Sequence, residues 1–290
     1  MIVIKKDVFG VGSNFLRLLD WLWYSKYSKD EVYIDWNIDG VDPLAKIFDY
    51  NNPTNFKDAK TYNHYVGKFT KELDINSINA RKKDVYFYDK YGVKSIGANS
   101  GYFYTTPNVY YEKDFCLLRN TLYDVFRQRF TLSNEFQKVL IDKKSKTLGV
   151  HVRYLQHYCE ERHNGPCPIS DFKKFLDDCA KISYERFTDG EFERIYVACD
   201  MNDFYDSISK YFSEDKIIKI SYERLNGNTD WGLGNRKALD LIYNTFLDIF
   251  NLSRCDKLIC GVSNLTLTSL VVNRDLGFEF FPSLKNLHSL

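Results

Sequence analysis

Two side chains that can carry positive charge, His151 and Arg153, stand at the end of the largely apolar segment 148–153. Residues of a strand point alternately to opposite faces, so His151 and Arg153 would emerge together while Val150 and Val152 pack the other way. In an open α/β sheet, the carboxyl end of a strand is where a charged ligand binds. Arginine there favours a phosphate or a carboxylate, because its planar guanidinium group makes two parallel charge-assisted hydrogen bonds.

Polar residues also follow two later apolar runs. Asp200 comes directly after one of them, and Gly-Val-Ser-Asn at 261–264 connects the other to a predicted helix. Ser263 or Asn264 would bring a hydroxyl or amide group to free backbone N–H groups and the positive end of the helix dipole, which together form an anion site. This helix start and Arg153 would hold a pyrophosphate without a metal, while Asp200 would accept hydrogen bonds from a ribose or a base edge.

Each of these residues also has a purely structural interpretation. His151 would be a hydrogen-bonded histidine near the core, and Arg153 would pair with a neighbouring carboxylate. Ser263 and Asp200 would each cap the helix that follows. The occurrence of all of them together at three strand ends, in chain order, favours a ligand site.

The elements that must position these residues alternate between strand and helix, which predicts parallel sheets covered by helices on both faces. In the first half we expect strands at 1–5 and 31–36. Between them, a turn at 10–12 and a helix capped by Ser13 or Asn14 are expected. Residues 51–110 are poorly periodic, apart from a predicted strand at 84–88, and are interpreted as long loops and short elements that form a binding surface.

The second half alternates more clearly. Two helices, at 117–130 and 133–143, precede it, and the boundary between two domains is expected at 130–145, which gives domains 1–140 and 141–290. The predicted strands lie at 146–153, 194–199, 216–220, 257–261 and 278–281. The predicted helices lie at 169–185, 203–212 and 235–252, with one more beginning near 263.

Composition limits the class of protein. The chain has 290 residues, 44% of them hydrophobic, and a formal net charge of +1, so no whole-molecule attraction to nucleic acid or anionic membranes is expected. Seven scattered cysteines, an odd number, favour free thiols in a reducing compartment. The first residues lack the apolar stretch of a signal peptide, and no apolar run is long enough for a membrane span. We therefore expect a cytoplasmic protein, and the alternative is a secreted protein from which the signal peptide has been removed.

Several segments resemble a known enzyme family. GVHVR at 149–153, IYVACD at 195–200 and LSRCDKLICGVSN at 252–264 are similar to the three motifs of the α1,2-, α1,6- and protein O-fucosyltransferase superfamily. GVGSNFLR at 10–17 and VYIDW at 32–36 are similar to its opening. The resemblance is closest to the α1,6 and nodulation-type branch.

The resemblance implies a GT-B fold, in which two Rossmann-like domains with parallel sheets face a central cleft. It implies an inverting, metal-independent glycosyltransferase that moves fucose from GDP-fucose to a hydroxyl of a glycan or protein. No cofactor is expected, and the partners are the nucleotide sugar and a carbohydrate or glycoconjugate acceptor. Domain 1–140 would lie on the acceptor side, and domain 141–290 would bind the nucleotide sugar.

The family also implies roles for individual residues. Arg153 binds the diphosphate and helps the fucose to leave, and His151 contacts the nucleotide. Asp200 reads the guanine side. Ser263 binds phosphate, supported by Asn264 and the helix start. From the other domain, the segment Gly12, Ser13 and Asn14 faces the donor.

The sequence departs from the family at two places. The α1,6 branch carries a basic-Thr-Asp-Lys run after its arginine, where this chain has Tyr-Leu-Gln-His at 154–157. A second acid often follows the position of Asp200, where this chain has Met201. Two alternatives therefore remain open: a GT-B transferase that uses another nucleotide sugar, and a non-catalytic protein of this fold that binds a carbohydrate or nucleotide.

An inverting transfer needs a general base for the acceptor hydroxyl. Glu160 and Glu161 lie in the loop after Arg153, where the α1,6 branch places a glutamate, and Glu161 is the better candidate. The alternative is that both are solvated loop charges.

The same loop contains four side chains of the kinds that bind zinc, His157, Cys159, His163 and Cys167. Their spacing is not that of a known zinc finger, which favours a polar active-site loop with incidental thiols. The sequence also lacks Asp-x-Asp, the carboxylate pair that would hold a metal against a nucleotide diphosphate.

Overall fold

The computed structural model describes residues 2–5, 32–38, 40–49, 113–153, 171–199, 201–220, 238–261 and 263–281, and eight positions between 11 and 22. The chain divides into two compact units, Met1–Val139 and Leu140–Leu290. In the described residues, no helix is long and apolar enough to cross a membrane.

The N-terminal unit begins with a βαβ arrangement, as predicted. Strand β1 (Ile2–Lys5) pairs in parallel with β2 (Val32–Asp35). A parallel pair requires a crossover, and the described positions between 11 and 22 are helical. The helix buries an apolar face, which consists of Phe15, Leu18, Leu19 and Leu22.

The start of this crossover helix was predicted too late. Val11 and Gly12 are already helical, so the turn expected at 10–12 is wrong there, and Asn14 lies inside the helix rather than at its cap. Val11 is buried and precedes Phe15 by one turn, so it extends the apolar face backwards and includes the first turn in the packed helix.

A cluster of phenylalanine rings forms the core of the N-terminal unit. A 3₁₀ turn at Pro43–Lys46 leads into β3 (Phe48–Asp49), which pairs antiparallel with β4 (Thr131–Leu132) after helix α1 (Lys113–Arg129). The rings of Phe48 and Phe130 lie 4.9 Å apart, and those of Phe15 and Phe48 stack at 5.7 Å. This packing explains why two strands of only two residues each are held in register.

Helix α2 (Asn134–Lys138) is shorter than the predicted helix at 133–143. Ser133 caps it, with its Oγ accepting from the Phe136 N–H at 3.2 Å. Beyond the helix, the Ile141 N–H donates to the Asn251 side-chain oxygen at 2.8 Å, where a continuing helix would have required the carbonyl of residue 137. A tertiary hydrogen bond thus replaces the helical one.

The C-terminal unit is built on five parallel strands in the order β7-β6-β5-β8-β9. All five were predicted within a few residues. The strands are β5 (Thr147–Val152), β6 (Arg194–Cys199), β7 (Ile217–Ile218), β8 (Lys257–Cys260) and β9 (Gly277–Phe280).

Helices cover both faces of this sheet. They are α3 (Phe172–Asp189), α4 (Asn202–Ile208), α5 (Ala238–Arg254) and α6 (Asn264–Val272). Val150 and Val152 pack in a buried cluster with residues of α3 and α4. Gly149 and His151, at the alternate positions of β5, face residues of α5 and α6. The sheet is therefore doubly wound, and the predicted alternation along β5 is confirmed.

Gly149 allows α5 to approach the middle of β5 closely. A Cβ at this position would lie 3.0 Å from the Cys255 Sγ and 3.3 Å from the Leu252 Cδ2. A larger residue here would therefore press on the side chains of α5, in a strand with ordinary backbone angles.

The strand order places a topological switch point between β5 and β8. From β5 the chain builds outward through β6 and β7, then returns to the other side of β5 for β8 and β9. Doubly wound sheets bind ligands at the carboxyl ends of the strands where the order reverses. The residues that follow Val152 and Cys260 occupy this position.

Candidate functional site

His151 lies on the central strand, one residue before the end of β5. It is paired with Ala198 of β6 and Cys260 of β8, and its backbone oxygen accepts from the Gly261 N–H at 3.1 Å. The residue is only 4% exposed. The switch point thus holds a histidine whose backbone is fixed from both sides.

A cluster of hydroxyl groups from the start of α6 surrounds one edge of the His151 ring. The Nδ1 atom lies 2.8 Å from the Thr266 Oγ1 and 3.4 Å from the Ser263 Oγ. Thr266 in turn donates to the Gly261 carbonyl oxygen at 2.9 Å. The histidine is therefore hydrogen-bonded, as its structural interpretation required, and it is also held in one orientation at the strand end.

The environment of His151 keeps the ring neutral. Burial and, next, the charge of Arg153 lower the pKa of His151 to about 3. A neutral imidazole has one N–H donor and one acceptor nitrogen. At neutral pH His151 can therefore position a ligand by hydrogen bonding, while the positive charge at this strand end comes from Arg153.

Arg153 is the first residue after β5, and it is partly buried. Its guanidinium group stays charged at any ordinary pH. Within the ranges that the structure describes, no carboxylate forms an ion pair with Arg153. The pairing that its structural interpretation required is thus not found in the described residues.

Ser263 is the N-cap of α6, as its structural interpretation expected. Its Oγ accepts from the Thr266 N–H at 3.1 Å, and the residue is 2% exposed. The Ser263 carbonyl oxygen accepts from the Leu267 N–H. In the described chain, no acceptor takes the N–H groups of Asn264 or Leu265. These two amides, at the positive end of the α6 dipole, are the groups suited to an anion.

The remaining predicted residues are distributed between the N-terminal unit and undescribed segments. Gly12 and Asn14 lie in the crossover helix of the N-terminal unit, and the Asn14 side chain is buried. Outside the described residues lie Ser13, Glu160, Glu161, Asp200 and the four positions considered for zinc, His157, Cys159, His163 and Cys167. Among the described residues, no three His, Cys, Asp or Glu side chains are grouped so that they would hold a metal ion.

Thr266 is the site residue that the sequence prediction missed. It is fully buried and touches His151, Ser263 and Gly261 through one oxygen atom. Its signal in the sequence is its position three residues after a serine cap, which places its side chain beside the cap.

Solved structures of fucosyltransferases align with this chain. The NodZ α-1,6-fucosyltransferase, in crystals soaked with GDP-fucose, aligns with a TM-score of 0.52 and 10% identity over 93% of this chain and 91% of that chain. NodZ from Bradyrhizobium aligns with a TM-score of 0.48 and 14% identity, over 97% of this chain and 94% of that chain. POFUT1 in complex with GDP-fucose aligns with a TM-score of 0.47 and 12% identity, over 97% of both chains.

The sequence matches no protein-family model and no curated protein. The likeness to the NodZ structure with a TM-score of 0.52 confirms the predicted α/β fold, of the GT-B type. At 10% identity it concerns the fold, and function must be argued from the site.

Proposed function

We propose that this protein is a glycosyltransferase that transfers fucose from GDP-fucose, and that the β5–β8 switch point binds the nucleotide sugar. The observation that carries the proposal is the meeting of Arg153, His151 and the start of α6 at this point. It is supported by the fold shared with NodZ, whose crystals were soaked with GDP-fucose.

Arg153 and the first turn of α6 are proposed to bind the diphosphate. The guanidinium group supplies a full positive charge in a fork that fits phosphate oxygens. The amides of Asn264 and Leu265 supply two further donors at the helix start. As the bond between the sugar and the diphosphate breaks, these groups stabilise the negative charge that accumulates on the departing GDP. This arrangement needs no metal and no cofactor.

The proposed reaction is a single displacement with inversion. The acceptor oxygen attacks the anomeric carbon from the side opposite GDP, so the new glycosidic bond forms as the bond to the diphosphate breaks. Glu161 takes the acceptor proton, with Glu160 as the neighbouring candidate. Asp200 is proposed to bind the guanosine part. The acceptor is a hydroxyl group of a glycan or a protein.

The division of labour between domains is also a proposal. Domain 141–290 is proposed to bind the nucleotide sugar and domain 1–140 to bind the acceptor, and the donor contact expected of Gly12, Ser13 and Asn14 stays a prediction. The division of the chain into the units Met1–Val139 and Leu140–Leu290 supports this boundary.

A transferase that uses another nucleotide sugar is the second candidate. It is favoured by Met201, which stands where the family often has a second acid, and whose side chain is fully buried.

A cytoplasmic location is proposed because Cys179, Cys199, Cys255 and Cys260 are all free thiols.

The proposed function is tested by turnover of GDP-fucose with panels of glycan and peptide acceptors. We expect Arg153→Ala to lower kcat by roughly 100-fold or more, because it removes the charge that stabilises the leaving group. Arg194→Ala is the matched control, since Arg194 begins β6 at the opposite end of the sheet. Glu161→Gln should lower kcat and leave GDP affinity unchanged. Equal activity of the two arginine variants would contradict the proposal.

A further inference from the structure

Thr266 lies at the centre of a buried hydrogen-bond cluster that ends on His151. Its Oγ1 is 2.9 Å from the Gly261 carbonyl oxygen, 2.8 Å from the His151 Nδ1 and 3.2 Å from the Ser263 Oγ. The residue has no exposed surface. One hydroxyl group therefore bonds to these three partners at the strand end that carries Arg153, and the Cys260 thiol is a further neighbour.

The chemistry of these partners determines where each hydrogen lies. A carbonyl oxygen only accepts, so the single hydroxyl hydrogen of Thr266 points to Gly261. The Thr266 oxygen is then an acceptor for its other two neighbours. Ser263, whose own oxygen accepts from the Thr266 N–H, donates its hydroxyl hydrogen to the Thr266 oxygen. His151 must accordingly carry a hydrogen on Nδ1 to complete the contact at 2.8 Å.

We propose that Thr266 is a positioning residue that fixes His151 as the Nδ1–H tautomer, so that Nε2 presents a lone pair to the ligand. A neutral imidazole has only one ring hydrogen, and the neutral state is supported by the lowering of the His151 pKa through burial and Arg153. Within the described chain, no residue forms a hydrogen bond with Nε2.

This assignment defines which part of a ligand His151 recognises. A bare Nε2 accepts a hydrogen bond from a hydroxyl or N–H group, and it is repelled by a phosphate oxygen, which also carries only lone pairs. The identity of that ligand rests on the proposed function. His151 binds a hydroxyl group of the nucleotide sugar, and Arg153 and the α6 amides bind its phosphates. Thr266 sets this specificity without touching the ligand.

The tautomer is tested by ¹⁵N NMR of the full-length protein labelled at its five histidines. Comparison with His151→Gln assigns the His151 signals. At neutral pH we expect Nδ1 to be protonated and Nε2 to have a pyridine-like shift. In Thr266→Val, Nδ1 loses its acceptor, so the hydrogen should move to Nε2. A wild-type ring protonated at Nε2 would overturn the proposal, even if the variant does not fold.

Two variants distinguish the effect of the Thr266 hydroxyl group from the effect of changed packing in α6. Thr266→Ser keeps the hydroxyl and should retain the wild-type tautomer. Thr268→Val removes the hydroxyl of another buried threonine in α6, whose Oγ1 donates to the Asn264 carbonyl oxygen within the helix at 2.7 Å. It should also leave the His151 signals unchanged. A tautomer that shifts equally in Thr266→Val and Thr268→Val would overturn the assignment to Thr266.

The consequence for binding is measured with GDP-fucose by calorimetry. Thr266→Val should weaken binding roughly tenfold, about the value of one hydrogen bond, while Thr266→Ser and Thr268→Val should bind like wild type. Unchanged affinity in a Thr266→Val protein whose tautomer has shifted would overturn the positioning role. If wild type has the expected tautomer but binds no nucleotide sugar, the proposed function fails and the tautomer assignment stands.

Discussion

The two candidate site residues at the end of β5 differ in burial and in charge. Burial helps to lower the pKa of His151 to about 3, so the ring acts through hydrogen bonds. Arg153 is only partly buried and keeps its charge, because a guanidinium group does not deprotonate in proteins. The site therefore combines one fixed neutral group with one cation, an arrangement suited to a ligand that has both hydroxyl and phosphate groups.

The lowered pKa of His151 predicts a specific dependence of stability on pH. Between about pH 6.5 and pH 3 the unfolded chain binds a proton that the folded chain excludes, so the free energy of unfolding falls as the pH is lowered. This contribution is fully present above the ordinary histidine pKa. Its slope is about 1.4 kcal/mol per pH unit within that window.

Urea unfolding of wild type and His151→Gln between about pH 5 and pH 7 measures this slope. Glutamine keeps hydrogen-bonding capacity without a titrating ring, so other groups contribute equally to both proteins. We expect a shallower decline of stability in the variant. Parallel curves would show that His151 is not held neutral by the fold.

The residues that sequence patterns identified were those at strand ends, where alternation and turn chemistry are local. His151, Arg153 and Ser263 could be found in this way. The position of Thr266 beside the cap could be read from the sequence, but its contact with His151 could not, because the two residues are 115 positions apart in the chain. The cap formed by Ser263 was anticipated, and the bond from its hydroxyl group to Thr266, three residues later, is a local one.

At the scale of the elements, strand β5 and helix α5 pack closely against each other at Gly149. The Cys255 thiol lies 3.0 Å from where a Cβ would stand, and the thiol itself is buried. Burial, to which the neighbouring Asp256 adds, raises the pKa of the Cys255 thiol. The thiol therefore behaves as an apolar packing group, and the strand and helix cannot separate without exposing it.

We predict that Gly149→Ala lowers the free energy of unfolding by about 1–3 kcal/mol, the usual range for an overpacked core. Gly277→Ala is the matched control, because that strand position has nothing within 4 Å of a Cβ. Chemical denaturation of both variants checks this. Equal stability of the two variants would show that α5 can move away from β5 at little cost.

Elements with a strong internal pattern were predicted well, and those defined by tertiary pairing were not. In the C-terminal unit, β6 and β8 carry the continuous apolar runs 195–199 and 258–260, which sequence reading detects. The pairing of Phe48–Asp49 with Thr131–Leu132 spans two residues on each side, too few to show a period. Helix α2 ends early because Asn251, far away in the chain, takes the Ile141 amide.

The formal net charge of the whole molecule is only +1, so an anionic nucleotide would be attracted by the local electric field of its site and not by the molecule as a whole. That field has its sources at Arg153 and the α6 start in the C-terminal unit. Binding there should stabilise the folded state, because the β5–β8 switch point does not exist in the unfolded chain. Mass action gives about 2.7 kcal/mol when the ligand is present at a hundred times its Kd.

Thermal unfolding with GDP, GDP-fucose, GDP-mannose, UDP and UDP-glucose, each with and without a chelator, tests the central claim most directly. The account predicts a higher Tm with GDP and GDP-fucose that the chelator does not change, that Arg194→Ala retains and that Arg153→Ala loses. A folded protein whose Tm responds to no nucleotide, or only to the UDP ligands, would contradict a GDP-fucose site at the β5–β8 switch point.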